Sequence, residues 1–244
     1  MSDETNNNWR AFAREVVQLS TELCDALPSD VTDNQHLTIA LLYARSRQSF
    51  LSALALAELG FNGDARTVVR SAVESTIAIA ATAKDASFTT RLIEADMERR
   101  LKWSRATLSD PELEQGMSSD ELDRLRANVA TIEPTKPKGI NWSDAARDSG
   151  TKVLYHLHYR PMSWHAHVGV ESLNSYAVLD GNEEIAGVRF DGNMSGYADT
   201  VSAACDVLFW ASMVTAESFD FVEVVQRIRA LHQRYSEMTK PSSL

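Results

Sequence analysis

The segment from Asp64 to Lys84 constrains the fold most, because its pattern is helical and it is apolar on nearly every face. It contains neither proline nor glycine, so one uninterrupted helix is expected. A helix without a wide polar face belongs in the middle of a bundle. The sequence therefore predicts a central helix that other helices cover. Its apolar residues include Val68, Val69, Ala72, Val73, Ile77, Ile79 and Ala80.

Other segments repeat apolar residues at three- and four-residue steps, which predicts further amphipathic helices. Caps and breakers mark their ends. Asp33 marks the start of the second helix and Gly60 marks its end. The residues from Ser118 to Glu121 form a capping-box signature. The predicted helices cover about residues 9–27, 34–59, 87–108, 119–131 and 161–176, with a last, bent helix from about 195 to 231.

One stretch has a β pattern, with short apolar runs at 176–179 and 185–190 on either side of Asp180-Gly181-Asn182. Such a pattern predicts a small hairpin. Only 10 glycines and 6 prolines occur, which disfavours an all-β fold. We therefore predict an all-α, multi-helix bundle with a β-hairpin insertion near residues 176–192. Residues 9–238 should form a single helical domain, between a disordered N-terminus (1–8) and a loose tail (239–244).

The charge balance is acidic, with a formal net charge of −10 and a pI near 5.1. Broad nucleic-acid surfaces are basic, so only a local RNA or anion site remains open. The N-terminus is polar and acidic, unlike a signal or transit peptide, and no apolar run could span a membrane. Cys24 and Cys205 lack ligand spacing and are expected to be free thiols. These features predict a cytoplasmic protein without membrane contact, metal or cofactor.

The central helix carries Arg66, Arg70 and Glu74 at four-residue steps, so the three side chains share one stripe. Two interpretations stay open. Arg70 and Glu74 can form a structural ion pair. Alternatively, Arg70 binds an anion while Glu74 orients its guanidinium group.

Four of the six histidines lie between Tyr155 and His167, together with Tyr159, Trp164 and Arg160. Proline favours the first turn of a helix, so we expect one from Pro161 to about Tyr176. On such a helix, Arg160, Ser163 and His167 would share a face, whereas His165 would point away.

Three chemical interpretations compete for this cluster. Metal binding is disfavoured, because His156 and His158, like His165 and His167, are two residues apart and would point to opposite sides of a helix. Metal-independent RNA cleavage would use a histidine for proton transfer and Arg160 for the phosphate, with Ser163 as a hydrogen-bond donor. In the third interpretation, the tyrosine, tryptophan and histidine side chains are structural, with their polar ends hydrogen-bonded.

Two motifs resemble those of a known family. Arg70-Ser71-Ala72-Val73-Glu74 and Tyr159-Arg160-Pro161-Met162-Ser163 with His167 are similar to the helices of DUF5677-type bacterial proteins. The resemblance covers roughly residues 35–180. It implies a helical protein and names no activity.

A shorter motif, Arg160 followed by His165 or His167, resembles the Arg-x(4–6)-His motif of HEPN domains, although Pro161 stands where those nucleases usually have a polar residue. HEPN domains are small, often dimeric helical bundles that include ribonuclease toxins and phage-defence proteins. The resemblance implies that Arg160 binds phosphate and that His165 or His167 transfers the proton.

Two functional hypotheses follow from these residues. The first is a HEPN-like, metal-independent endoribonuclease, a toxin or phage-defence effector that could form a homodimer or bind a protein partner such as an antitoxin. Its catalytic residues would be Arg160, His167, His165 and Ser163, supported by Arg70, Glu74, Tyr159, Tyr155 and Arg66. The second is a non-enzymatic helical module that binds a small anionic ligand or a protein with the same residues.

Overall fold

The computed structural model of the chain describes residues 3–182 and 184–240, with the backbone only at Glu171. Helices dominate this part of the chain, and one two-stranded hairpin accompanies them. The predicted all-α bundle with a small β-hairpin insertion is therefore confirmed. Two compact units are present, and they comprise residues 1–84 with 142–244 and residues 85–141.

The first three helices are α1 (Asp3–Ala26), α2 (Asn34–Glu58) and α3 (Asn62–Lys84). Helix α1 begins at Asp3, so residues 3–8, which were predicted to be disordered, are helical. Helix α2 begins where predicted, because the Asp33 carboxylate accepts hydrogen bonds from two amides of its first turn. Residues 1, 2 and 241–244 of the predicted termini lie outside the described residues.

Helix α3 is the centre of the larger unit, as its apolar pattern predicted. Val69, Val73, Ile77 and Ile79 are each 0% exposed. The long helix α11 (Tyr197–Ser218) packs against both α2 and α3. Helix α12 (Val222–Met238) follows after a break at Asp220, whose φ is 56°. The sequence predicted one bent helix here, and this break divides it into α11 and α12.

The smaller unit contains α4 (Phe88–Leu108), α5 (Pro111–Gly116) and α6 (Ser119–Ile132), followed by a 3-10 turn at Glu133–Thr135. The capping box predicted for α6 is present, since the Ser118 side chain and the Glu121 carboxylate cap each other's backbone amides. The Arg105 guanidinium contacts the Glu133 carboxylate at the surface of this unit.

The prediction of a helix from Pro161 to Tyr176 is wrong. After α7 (Trp142–Ser149), a continuous helical segment runs through α8 (Lys152–Leu154), a π-helical turn (Tyr155–Tyr159) and α9 (Arg160–Ser163). Pro161 therefore lies near its end. The Arg160 amide bonds to the Tyr155 carbonyl five residues back, and this wider turn accommodates a proline that has no N–H of its own.

A turn follows α9 and leads to α10 (Val170–Asn174) and to the predicted hairpin. Strands β1 (Ala177–Leu179) and β2 (Ile185–Val188) pair antiparallel, with Ala177 opposite Val188 and an irregularity beside Leu179. Within residues 3–182 and 184–240, none of the helices has the length and hydropathy that crossing a membrane requires.

Candidate functional site

Arg70 of α3 is the centre of a polar cluster with the end of the π-helical segment and α9. Its Nε donates to Ser163 Oγ at 2.9 Å, and Nη2 donates to the Tyr159 hydroxyl at 2.8 Å. Nη2 also lies 3.2 Å from a Glu74 carboxylate oxygen, and the two charged side chains are 24% and 22% exposed. Both sequence-based interpretations of Arg70 required the Glu74 contact, and that contact is present.

The Tyr159 ring adds to this cluster. The Arg70 Cζ lies 4.7 Å from its centroid, and Tyr155 stacks on it with centroids 5.0 Å apart. Burial is the main reason that the pKa of Tyr159 is raised, and the Glu74 carboxylate raises it further while Arg70 opposes both. Ser163 also donates to the Tyr159 carbonyl at 2.6 Å. The cluster therefore fixes Arg70 from several sides.

Arg66, one turn before Arg70, has a different environment. Its Nε donates to Thr200 Oγ1 of α11 at 3.2 Å, and Nη1 lies 3.2 Å from His165 Nε2. Because a guanidinium group can only donate, this contact requires His165 Nε2 to be the accepting, unprotonated nitrogen. No hydrogen bond is described for the remaining nitrogen, Nη2, in the described part of the chain.

Arg66 and His165 line an open cavity of about 530 Å³ in the larger unit. Its wall comes from the loop before α3, the hairpin segment and the start of α11. The remaining lining residues are Gly60, Phe61, Asn62, Gly63, Asp64, Asn174, Ser175, Tyr176, Ala177, Arg189, Asp191, Asn193, Ser195, Gly196 and Asp199.

Close backbone packing builds one wall of this cavity. A Cβ at Gly192 would lie 1.8 Å from the Leu59 carbonyl oxygen, so only glycine fits there. Asn62, 8% exposed, donates through Nδ2 to the carbonyls of Asn193 and Ser195 at 2.7 and 3.0 Å. Both acceptors are carbonyls, which fixes the amide orientation and leaves Oδ1 without a hydrogen-bond partner.

Two helix N-termini meet at the cavity. Gly63 and Asp64 belong to the first turn of α3, while Gly196 and Asp199 lie at the start of α11, which has no side-chain cap. The first amides of a helix have no partner inside the helix and carry partial positive charge. Residues at the starts of two helices therefore line the cavity beside the Arg66 guanidinium group.

Gly196 is the residue that allows Arg66 into this position. Its φ of +79° is in the left-handed region, and a Cβ there would lie 2.9 Å from Arg66 Nη2. Glycine thus serves both the turn into α11 and the approach of the guanidinium group.

The charged side chains of the cavity have both signs. Arg66 and Arg189 are cationic, and Asp64, Asp191 and Asp199 are anionic. No ion pair is described for Arg189 or for the three carboxylates within residues 3–182 and 184–240. Asp64 and Asp199 each lie in the first turn of a helix, where a carboxylate stabilises the helix dipole.

The predicted site residues separate into three groups. The polar cluster described above contains Arg70, Glu74, Tyr159, Tyr155 and Ser163. Arg66 and His165 line the cavity, although His165 was expected to point away from the site.

Arg160 and His167 form the third group. Both are exposed, and neither lines the cavity. Because α9 ends at Ser163, His167 lies in the following turn, and the predicted alignment of Arg160, Ser163 and His167 on one helix face does not form.

Another histidine of the segment has a structural partner. His158 Nε2 lies 2.7 Å from an Asp206 carboxylate oxygen, and both side chains are largely buried. Among the described residues, no group of three or more His, Cys, Asp or Glu side chains could hold a metal ion.

Sequence reasoning missed Asn62, Arg189, Asp199 and Gly196. They come from separate parts of the chain, and their spacing carries no motif. Asn62 is the first residue of α3, and its side chain bonds the segment after the hairpin to the start of this helix.

Comparison with known proteins identifies a family but no activity. The family model described as a family of unknown function (DUF5677) matches residues 36–185, which is more than half of the chain. The match covers α2, α3 and the segment with Tyr159, Arg160 and His167, the regions whose motifs suggested it. No curated protein and no solved structure matches the chain significantly. The chain thus belongs to the DUF5677 family.

Proposed function

We propose that this protein is a helical module that binds a small anionic ligand in the cavity beside Arg66. The carrying observation is that Arg66 lies at the meeting point of two helix N-termini with one guanidinium nitrogen unused. Backbone amides at helix N-termini and a planar guanidinium group are the usual ligands of phosphate and carboxylate groups. Thr200 and His165 hold Arg66 in place, which reduces the entropy lost on binding.

The volume of the cavity also supports this proposal. Pockets of about 300–1,000 Å³ are typical of small-molecule sites, and the cavity of about 530 Å³ lies in that range. Arg189 provides a second cation from the hairpin segment. Arg70 is a weaker candidate, because Glu74 balances its charge and its Nε and Nη2 already donate to Ser163 and Tyr159, which leaves only Nη1 without a described partner.

Calorimetric titration of the full chain with inorganic phosphate tests the proposal. We expect saturable binding that Arg66→Gln weakens at least about tenfold, since loss of one charge-assisted contact costs about 1.5–3 kcal/mol. Arg45→Gln is the matched control, because Arg45 is an exposed arginine of α2 outside the cavity. Equal weakening in both variants, or no binding to a folded wild-type chain, would refute the anion site.

A second candidate function is metal-independent RNA cleavage by Arg160 and His167. Its supporting observation is that both side chains are exposed without a described partner, and that Trp164, which lies between them in the sequence, is 60% exposed. Arginine can bind the scissile phosphate, histidine can transfer a proton near neutral pH, and an exposed tryptophan can stack on a base. Such an enzyme would be a toxin or phage-defence effector, with a homodimer or a protein partner such as an antitoxin controlling it.

This second function is tested with labelled RNA in the presence of a chelator. We expect Arg160→Ala and His167→Ala to lower cleavage by at least about 100-fold while the chain stays folded. His156→Ala is the control, because His156 is an exposed histidine of the same segment. Cleavage that survives both substitutions, or that requires added metal, excludes these residues as the catalytic pair.

We also propose that the protein works in the cytoplasm. Cys24 and Cys205 are both free, and Cys205 is fully buried. Unpaired thiols are typical of proteins in reducing compartments. Fractionation of cells that express the chain would test this directly.

A further inference from the structure

We propose that the exposed face of the segment from Lys152 to Trp164 is a docking site for an acidic amphipathic helix of a partner protein. None of the residues on this surface, the outer face, lines the Arg66 cavity, so the inference does not depend on anion binding there. The outer face consists of Lys152, Val153, His156, Leu157, Arg160 and Trp164.

The π-helical turn arranges the side chains of this segment in rows. An α-helix has about 3.6 residues per turn and a π-helical turn is wider, so side chains four residues apart lie nearly in line here. One row, with Leu154, His158 and Met162, is buried or largely buried. The next row contains Tyr159 and Ser163, which bond to α3. The remaining two rows form the outer face and are exposed.

Apolar side chains occupy much of the outer face. Val153 and Leu157 follow each other in one row and are each more than half exposed, and Trp164 ends the other row. A single exposed apolar residue needs no explanation, but three along one helical face give a surface on which another helix can pack. Apolar side chains at helical spacing are the usual anchors between such helices.

The charge of the outer face decides what kind of helix fits. No aspartate or glutamate occurs from Ser149 to Val170, although 34 of the 244 residues of the chain are acidic. No ion pair is described for Lys152 or Arg160 within residues 3–182 and 184–240. Glu74 and Asp206, which approach the segment from α3 and α11, already have partners. The outer face is thus cationic in a chain with a net charge of −10, which favours an acidic partner.

An acidic helix uses more of the outer face than RNA would. Affinity for RNA grows with the number of phosphate contacts, and Lys152 and Arg160 are the only lysine and arginine on this surface. Val153 and Leu157 have no aromatic ring on which a base could stack. In contrast, an amphipathic helix can cover these two side chains and place carboxylates beside the cations. The outer face is about 20 Å long by helix rise, which corresponds to roughly four turns of a partner helix.

Selection from a phage-displayed library of random peptides, about 16 residues long, on the full wild-type chain tests this docking site. We expect the enriched peptides to combine aspartate and glutamate with apolar residues at three- and four-residue steps. Fluorescence anisotropy should show at least about tenfold weaker binding to Leu157→Ser, because a leucine buried by the peptide is lost. Leu41→Ser is the matched control, since Leu41 of α2 and Leu157 are both 62% exposed.

Charge reversal tests the other half of the proposal. Arg160→Glu should weaken binding of the enriched peptides at least about fivefold, because it replaces attraction by repulsion, and the effect should be smaller at high salt. Arg45→Glu on α2 changes the net charge equally and should leave the affinity unchanged. Circular dichroism shows whether each variant is folded.

Several outcomes would overturn the docking site. Enrichment of basic peptides would do so, as would equal affinity of the enriched peptides for Leu157→Ser and Leu41→Ser. Failure of the folded wild-type chain to enrich any peptide would also refute it. If no acidic peptide is enriched while single-stranded RNA binds and Arg160→Glu abolishes that binding, the outer face belongs to RNA. None of these results affects the anion site, which phosphate titration tests separately.

Discussion

Arg66 and Arg70 lie one turn apart on the same stripe of α3, yet their surroundings differ. Arg70 donates to Ser163 and Tyr159 and pairs with Glu74, so its charge is balanced within the protein. Arg66 has two neutral partners, Thr200 and His165, and faces a cavity. A guanidinium group whose charge is balanced stabilises the fold, whereas one without a counter-ion remains able to bind a ligand.

The largest difference is expected in stability. Arg70→Ala should lower the free energy of unfolding by about 3 kcal/mol, because it removes two hydrogen bonds and leaves the mostly buried Glu74 carboxylate unpaired. Arg66→Ala should lower the free energy of unfolding by only about 1 kcal/mol, because no carboxylate is paired with Arg66 and none would be left unpaired. Urea unfolding of both variants measures this. Equal decreases in the free energy of unfolding would show that the two arginines do not differ in their contribution to stability.

Glycine substitutions test how Arg66 is positioned. Gly196 and Gly150 have φ values of +79° and +82°, so an alanine at either position should cost about 1 kcal/mol. Only at Gly196 would the new Cβ approach Arg66, since nothing lies within 4 Å of a Cβ at Gly150. We expect Gly196→Ala alone to weaken phosphate binding measured by calorimetry. Equal phosphate affinity in the two variants would show that the guanidinium position does not matter.

A smaller effect tests the Arg70 cluster. Tyr159→Phe removes the hydroxyl that accepts from Arg70 and should lower the free energy of unfolding by about 1 kcal/mol. Tyr155→Phe keeps the stacked ring and removes a hydroxyl with no described hydrogen bond, so its effect should be close to zero. Thermal unfolding of both variants gives the difference. Weaker phosphate binding in Tyr159→Phe would instead connect the cluster to the cavity.

The smallest effect concerns a third arginine, Arg10, which bonds to Glu58 at 2.8 Å. Its hydrogen bond holds the pKa of Glu58 below the ordinary 4.5, so this pair stabilises the fold above pH 4.5 and the stabilisation is lost as the pH falls through the lower folded value. Glu58 is 42% exposed, so Glu58→Gln should cost no more than about 0.5 kcal/mol at pH 7.

The difference between wild type and Glu58→Gln should shrink as unfolding is measured at successively lower pH below 4.5. Asp30→Asn provides the comparison, since no partner is described for Asp30. A difference that grows towards low pH would contradict the lowered pKa of Glu58.

Much of the architecture could be predicted because it depends on local chemistry. The three- and four-residue spacing of side chains predicted α1 to α4, and the side chains of Asp33 and Ser118 fixed where α2 and α6 begin. The apolar stretch after Asp64 correctly predicted the central helix α3. Periodicity and capping act within a few residues, so they can be read along the chain.

The helix expected from Pro161 failed for a reason that is only partly local. Proline is tolerated late in this segment because the π-helical turn before it shifts the hydrogen-bond pattern. Arg70 of α3 bonds to Tyr159, the last residue of the π-helical turn, and to Ser163, the last residue of α9, and so stabilises this segment from another helix. Tertiary contacts of this kind override a positional preference of the sequence.

By itself, the sequence determined the helical bundle, the hairpin, the family and the polar stripe of Arg66, Arg70 and Glu74. Only the tertiary structure decided that Glu74 balances the charge of Arg70, while Arg66 faces a cavity that Asn62 and Arg189 also line. Helical spacing specifies which side chains share a face, but the hydrogen-bond partners of Arg66 and Arg70 come from residues about 90 to 135 positions away. Such pairing depends on how the helices pack, which no local pattern encodes.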